Sequence, residues 1–229
     1  MKKIFSYPKK VNSALAVICI GLTSILSSCM KEPKPVPVGE AKLRYINAAY
    51  ASPGQAFYVN GKKFGQMLSL YGEASDVMPL ESGAKVLAFV DAATTELTVA
   101  VNGNIAINEN YSIFFYKNQD QAASILGIGD NLTAPTAGKA KVRFIHLNGF
   151  LNNSVSIKTS TGTELAPAIA FARTSDYYPV DPGTKFIASG TGVTTNPEIN
   201  LGIVAGKIYT VWLTGSASTE LKAYSFTAN

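Results

Sequence analysis

The sequence predicts an all-β chain: two tandem β-sandwich domains behind a lipoprotein signal peptide and a proline-rich tether. Three observations carry this. Blocks of sequence return at an offset of 98 to 100 residues. Short β-branched and aromatic runs alternate with turn dipeptides. The N-terminus runs from basic to apolar and ends in a cysteine followed by spaced prolines.

Met1 to Cys29 divides into a basic start (Lys2, Lys3, Lys9, Lys10), an apolar run from Ala14 to Leu26, and Leu26-Ser27-Ser28-Cys29. The apolar run is shorter than the ~20 residues that span a bilayer as a helix and suits a secretory signal. Its last four residues resemble a bacterial lipobox. Resemblance to that class implies cleavage after residue 28 and acylation of Cys29. More than one acyl chain makes such an anchor stable, since a single chain binds only marginally. Cys19 leaves with the signal, so Cys29 is the one cysteine of the mature chain. Thiolate metal sites and cysteine nucleophiles are thereby excluded, and stability in an oxidising compartment must come from core burial. Residues 29–39 carry Pro33, Pro35 and Pro37 and read as a tether stiffened toward polyproline II.

The formal charge of +5 belongs mostly to that signal. Without it, 16 basic residues face 15 acidic ones. A nucleic-acid partner needs a basic surplus to displace counterions, and none is expected. Charged residues are 15% and apolar residues 47% of the chain, which excludes disorder for the bulk of it.

Residues 40–134 and 138–229 form the two copies. Ala41-Lys42-Leu43-Arg44-Tyr45-Ile46 returns as Ala140-Lys141-Val142-Arg143-Phe144-Ile145. Ser75-Asp76, Pro79, Gly83 and Lys85 return as Ser175-Asp176, Pro179, Gly183 and Lys185. Tyr111 to Phe115 returns as Tyr209 to Leu213, and Ala134 to Gly138 is the seam. Strands are expected at Lys42–Ile46, Phe57–Val59, Val86–Val90, Leu97–Val101 and Tyr111–Tyr116. Asn60-Gly61 and Asn102-Gly103 both favour two-residue hairpins. Phe64, Met67, Leu68 and Tyr71 fit a helical spacing. The matching stretch of the second copy holds Pro167, which a helix interior rejects, so an edge strand or irregular segment is expected there.

Alternation puts Tyr209, Val211 and Leu213 on one face of their strand and Ile208, Thr210 and Trp212 on the other; the tyrosine face is assigned inward. A tyrosine opening a late strand resembles the tyrosine corner of immunoglobulin-like sandwiches. Leu70-Tyr71-Gly72-Glu73-Ala74-Ser75-Asp76 followed by Pro79-Leu80-Glu81-Ser82-Gly83 is similar to the central signature of the bacterial DUF4397 family, as are the opening strands at 42–47 and 141–146. The second copy departs from it, with Ala170-Phe171-Ala172-Arg173 in place of Leu70-Tyr71-Gly72-Glu73. The resemblance implies tandem immunoglobulin-like sandwiches in Gram-negative envelope lipoproteins, and it implies no activity.

No catalytic, metal or cofactor site is expected. His146, the single histidine, stands where the first copy has Asn47, which can hydrogen-bond but cannot act as a general base. Asp76 and Asp176 match each other, so a shared turn-bracing role for their carboxylates is the economical reading. Residues that differ between copies are better candidates for a specific task. Trp212 and the pair Tyr177-Tyr178 are therefore the candidate ligand contacts, as exposed rings that stack on sugars or anchor a protein; the alternative for Trp212 is that it covers the interface between the two domains or packs under a loop. The expected function is a non-enzymatic, lipid-anchored envelope module for binding or adhesion. Its partners would be the membrane, through the acyl chains on Cys29, and a glycan or envelope protein. Alternatives are a glycan-active enzyme or its carbohydrate-binding accessory, and a periplasmic scaffold. Met30 after Cys29 supplies no aspartate of the inner-membrane retention type, so an outer-membrane anchor is expected, with the facing side open.

Overall fold

A computed structural model describes residues 38–66 and 68–229. The signal, Cys29, most of the tether and Met67 lie outside the described residues. Val38–Asn229 forms one compact unit, and its described residues contain strands and turns but no helix.

Seventeen strands follow in order: β1 Glu40–Asn47, β2 Gln55–Val59, β3 Lys62–Lys63, β4 Met78–Glu81, β5 Gly83–Asp91, β6 Leu97–Ile105, β7 Asn110–Lys117, β8 Ala123–Gly129, β9 Ala140–His146, β10 Val155–Thr159, β11 Glu164–Ile169, β12 Arg173–Thr174, β13 Tyr178–Val180, β14 Phe186–Gly190, β15 Glu198–Ile199, β16 Ile208–Thr214 and β17 Lys222–Thr227. The first eight make two sheets, β4-β1-β7-β8 and β3-β2-β5-β6. The remainder make β12-β9-β16-β17, with β13 also on β9, and β11-β10-β14-β15. β1 runs parallel to β7 and β9 parallel to β16. All other pairings are antiparallel.

Each sheet pair closes over its own core. Leu43, Tyr45, Phe57, Phe89, Ile113 and Phe115 fill the first. Val142, Phe144, Ile157, Phe186, Val211 and Leu213 fill the second. The inward faces are those the alternation predicts. The tyrosine corner is present twice: the Ala106 amide donates to Tyr111 Oη at 3.2 Å, and the Val204 amide donates to Tyr209 Oη at 3.1 Å.

A third cluster joins the two sandwiches. Ile46, Ala48, Phe114, Ile145, Leu147 and Trp212 pack together, so the outer faces of the β1–β7 and β9–β16 sheets lie against each other. The body therefore has four layers of sheet. Every residue of β9 and β16 is buried as a result, the pattern of strands covered on both faces.

Polar groups at this interface cross over in matching fashion. Arg44 Nη1 donates to Thr227 O at 3.2 Å, and Arg143 Nη1 donates to Gly129 O at 2.8 Å. Thr227 and Gly129 each close the last strand of the opposite half. The match breaks one residue further on. Asp130 accepts from Arg143 Nη2 in a buried ion pair and from Ser112 Oγ at 2.7 Å. Arg44 meets only the Ala228 carbonyl there, at 3.4 Å, and stacks on Phe226 with 4.2 Å to the ring centroid. Burial pulls the Arg44 guanidinium below its ordinary value, opposed by the nearby Asp130 charge.

Two local expectations divide. Asn60 and Gly61 have φ of 48° and 74° and make the β2–β3 hairpin turn. Asn102-Gly103 instead continues β6, paired with Val86 and Lys85. The alternation of Val99, Val101 and Ile105 toward the core outweighs the local turn preference. From Phe64 to Tyr71 the described residues hold bends and bridges, with Ser69 bridged to Gln55 and Tyr71 to Asn47, as the irregular edge reading requires.

Candidate functional site

The three aromatics singled out by sequence do not form one exposed surface. Trp212 points away from the second core, yet it is fully buried. It stacks on Tyr224 at 5.7 Å and meets Phe114 edge-on at 5.8 Å. A ligand-facing Trp212 is corrected in favour of the alternative, cover between the domains: the outer face of its sheet is the inner face of the joint between sandwiches. Tyr177 lies at the same joint, with Lys141 Nζ 4.9 Å and the Arg143 guanidinium 5.0 Å from its ring centroid. Burial raises its phenol above the ordinary value. Tyr178 is half-buried against the second core. Neither ring is an open stacking platform.

His146 is fully buried. The Asn148 amide donates to Nδ1 at 3.4 Å, which places the proton on Nε2, 3.1 Å from Asn153 O. Burial lowers its pKa, so the ring is neutral at physiological pH. Asn47 does the same work in the first half. Its Nδ2 donates to Ser69 O at 3.1 Å and Ser52 Oγ at 2.9 Å, and its Oδ1 accepts from the Ala49 amide. Both groups brace the loop that follows their strand.

The duplicated Ser-Asp pair also acts differently from expectation. Ser75 Oγ accepts the Tyr45 amide at 3.0 Å and donates to Asp76 O at 2.9 Å. Ser175 repeats this with the Phe144 amide at 2.9 Å and Asp176 O at 2.7 Å. Asp76 and Asp176 are exposed. The shared scaffold role belongs to the serines.

What the braced loops build is a rim at one end of the body. β1, β7, β9 and β16 all end there, and their loops meet across the joint. Tyr50 from the first half and the exposed Phe150 from the second stand on either side of a dimple of about 10 Å³, lined also by Lys117, Gln121 and Thr214. Tyr50 packs edge-on against Tyr71 at 5.6 Å, and Tyr71 against Tyr224 at 5.3 Å, which continues the stack inward to Trp212. Gly149 closes the seam: a Cβ there would sit 2.4 Å from Lys117 O and 2.6 Å from Asn118 O. Asn148 Nδ2 ties the rim to the β16–β17 loop through Ala217 O and Glu220 O at 3.0 and 2.8 Å. Asn118 Oδ1 accepts two amides of its own turn. The same loops carry Gln119, Asp120, Asn152, Ser218 and Thr219 exposed, and Lys222 Nζ lies 6.0 Å from the Tyr50 ring centroid. Sequence reading missed this rim, because only the packing of the two halves brings the loops after β1, β7, β9 and β16 together.

Larger concavities lie elsewhere. One of about 450 Å³ at the Thr159–Thr163 turn is lined by hydroxyls, Asp181 and Lys185 and holds no aromatic ring. Among the described residues no group of three or more His, Cys, Asp or Glu side chains is placed to hold a metal ion.

Residues 41–157 match the family described as a domain of unknown function, DUF4397. The chain belongs to the DUF4397 family. The DUF4397 match takes in the first sandwich, strand β9 and the start of β10 of the second. Comparison with curated proteins finds no match. Among solved structures, the DUF4397 body is similar to CBMbc, a family CBM26 module from Eubacterium rectale Amy13K in complex with maltoheptaose. That likeness has 13% identity over 81% of this chain and 96% of that one, with a TM-score of 0.27. A streptococcal virulence factor described for alpha-glucan binding shares 10% identity over 80% of this chain and 96% of that one, at a TM-score of 0.23. Likeness at this level carries nothing about ligands.

Proposed function

We propose that this chain is a non-catalytic binding module of the bacterial cell envelope. It carries two DUF4397 sandwiches in tandem, is anchored in the outer membrane through acyl chains on Cys29, and binds a glycan at the Tyr50–Phe150 rim. The observation that carries this reading is the rim itself. Two partly exposed rings, one from each half, are held by loops braced at Asn47, His146 and Gly149 and bordered by amide and hydroxyl side chains together with Lys117 and Lys222. Aromatic faces offer a sugar ring its apolar side while neighbouring amides reach its hydroxyls. Braced loops lose little entropy on binding. The small dimple suits recognition by surface contact rather than enclosure.

Binding of the 38–229 body to immobilised envelope and surface polysaccharides tests the reading, with Tyr50→Ala and Phe150→Ala as probes. Each substitution should weaken binding about tenfold, corresponding to ~1.4 kcal/mol, while leaving the body folded, as a cooperative melting transition shows. Retention by no polysaccharide, or retention that ignores both substitutions, would discard the rim as the site. Protease treatment of intact cells then decides which side of the membrane the body faces.

A further inference from the structure

The two halves treat the free edge of their outer sheets differently. An edge strand presents unpaired backbone groups to any extended partner, and proteins blunt such edges with charge, proline or brevity. Most edges here are blunted so. β3 is Lys62-Lys63, β4 holds Pro79 and Glu81, and β11 holds Glu164 and Pro167. β15 has two residues, Glu198–Ile199, directly after Pro197. β17 begins at Lys222.

β6 lacks every one of these guards. It is the edge of the β3-β2-β5-β6 sheet, nine residues long, and reads Leu-Thr-Val-Ala-Val-Asn-Gly-Asn-Ile with neither charge nor proline. Where β6 has Val99-Ala100, the second half has Pro197-Glu198. Leu97 is 65% exposed at one end of this edge, and Val86 of β5 is exposed on the same outer face. β8, also free of charge and proline, is shorter and belongs to the sheet that packs on the second sandwich.

We propose that β6 is a pairing edge for a second copy of this chain, joined antiparallel to its own β6. The strand is self-complementary in that arrangement. With the two-fold axis at Val101, Thr98 faces Asn104, Val99 faces Gly103 and Ala100 faces Asn102; the pairing stops short of Leu97, which a register shift against Phe89 and Val90 turns to the outer face. No charge meets another, and inward-facing residues stay inward because antiparallel pairing preserves side-chain parity. An axis perpendicular to the sheet keeps both cores on the same side and joins the two sheets into one of eight strands. The interface is isologous, so it closes at two copies rather than growing into a filament.

Sedimentation velocity of the 38–229 body from micromolar to sub-millimolar concentration reads the outcome. This body is one compact unit with its own cores. A reversible monomer–dimer equilibrium is expected. Ala100→Glu introduces the second half's guard on an exposed side chain, and Asn102→Lys places a charge near the axis. Each should weaken the dimer by at least about tenfold, since like charges repel across strands. Hydrogen exchange should show β6 amides protected in the wild-type dimer and open in both variants. A wild-type body that stays monomeric throughout, including one that instead captures an extended peptide, would overturn the proposal. So would a dimer that both variants leave intact.

Discussion

His146 illustrates how far a single side chain can be read without its surroundings. Pairing with Asn47 across the repeat already argued against a general base, and the structure explains why either residue serves. Each supplies hydrogen bonds to the loop that follows its strand. The buried imidazole has a depressed pKa, so the unfolded chain takes up a proton first as pH falls. Stability should therefore decline as pH drops from the ordinary histidine value of about 6.5 to the lower folded value, and then level off. His146→Asn should fold, bind as the parent does, and lose this component of the pH dependence. Melting temperatures of both proteins between pH 7.5 and 5 check this. A parallel decline in the two would assign the acid sensitivity to other groups.

Among the strands, the Ser-Asp pair before β4 and β13 shows how a repeated motif misleads about which member matters. Ser75 and Ser175 satisfy a backbone amide of β1 and β9 where an irregular segment meets a strand. Loss of a partner for a buried amide costs ~1–3 kcal/mol. Ser75→Ala should thus destabilise the body by roughly that amount, whereas Asp76→Ala, at an exposed position, should stay within about 0.5 kcal/mol. Urea denaturation of the two variants separates them, and a reversed order would restore the carboxylate to the scaffold role. The Asn102-Gly103 stretch shows the same precedence of packing over local preference. Gly103 faces inward with Leu87 3.5 Å from where its Cβ would be, and the strand runs straight through the turn signal.

At the scale of the whole molecule, the joint between sandwiches makes the body one cooperative object. Trp212, Phe114 and Ile145 are fully buried there, and the buried Arg143–Asp130 pair sits beside them. Truncating a buried aromatic costs ~3–5 kcal/mol through lost transfer energy and the cavity left behind. The parent should melt in a single calorimetric transition, and Trp212→Ala should lower stability by that order and split the transition into two. Its indole fluorescence should also resist aqueous quenchers in the parent. Ready quenching, or an unchanged melting profile in the variant, would mean that the sandwiches do not depend on this contact.

Sequence alone determined the all-β class, the main strands of the first half, the inward faces around Tyr111 and Tyr209 and the tyrosine corners. Each of these rests on periodicity or on residues close in the chain. The first core was legible for this reason: Leu43, Phe57, Phe89 and Phe115 alternate with polar neighbours or fall in short apolar runs. Tertiary structure alone decided what covers the other face of β1, β7, β9 and β16. Alternation separates two sides of a strand but does not say whether the second side meets water or another sheet. Trp212 therefore admitted two readings, ligand platform or cover between the domains, and the packing of the halves decided for the second. The Tyr50–Phe150 rim was invisible for the complementary reason: its residues come from four loops, and only the face-to-face packing of the two halves brings them together.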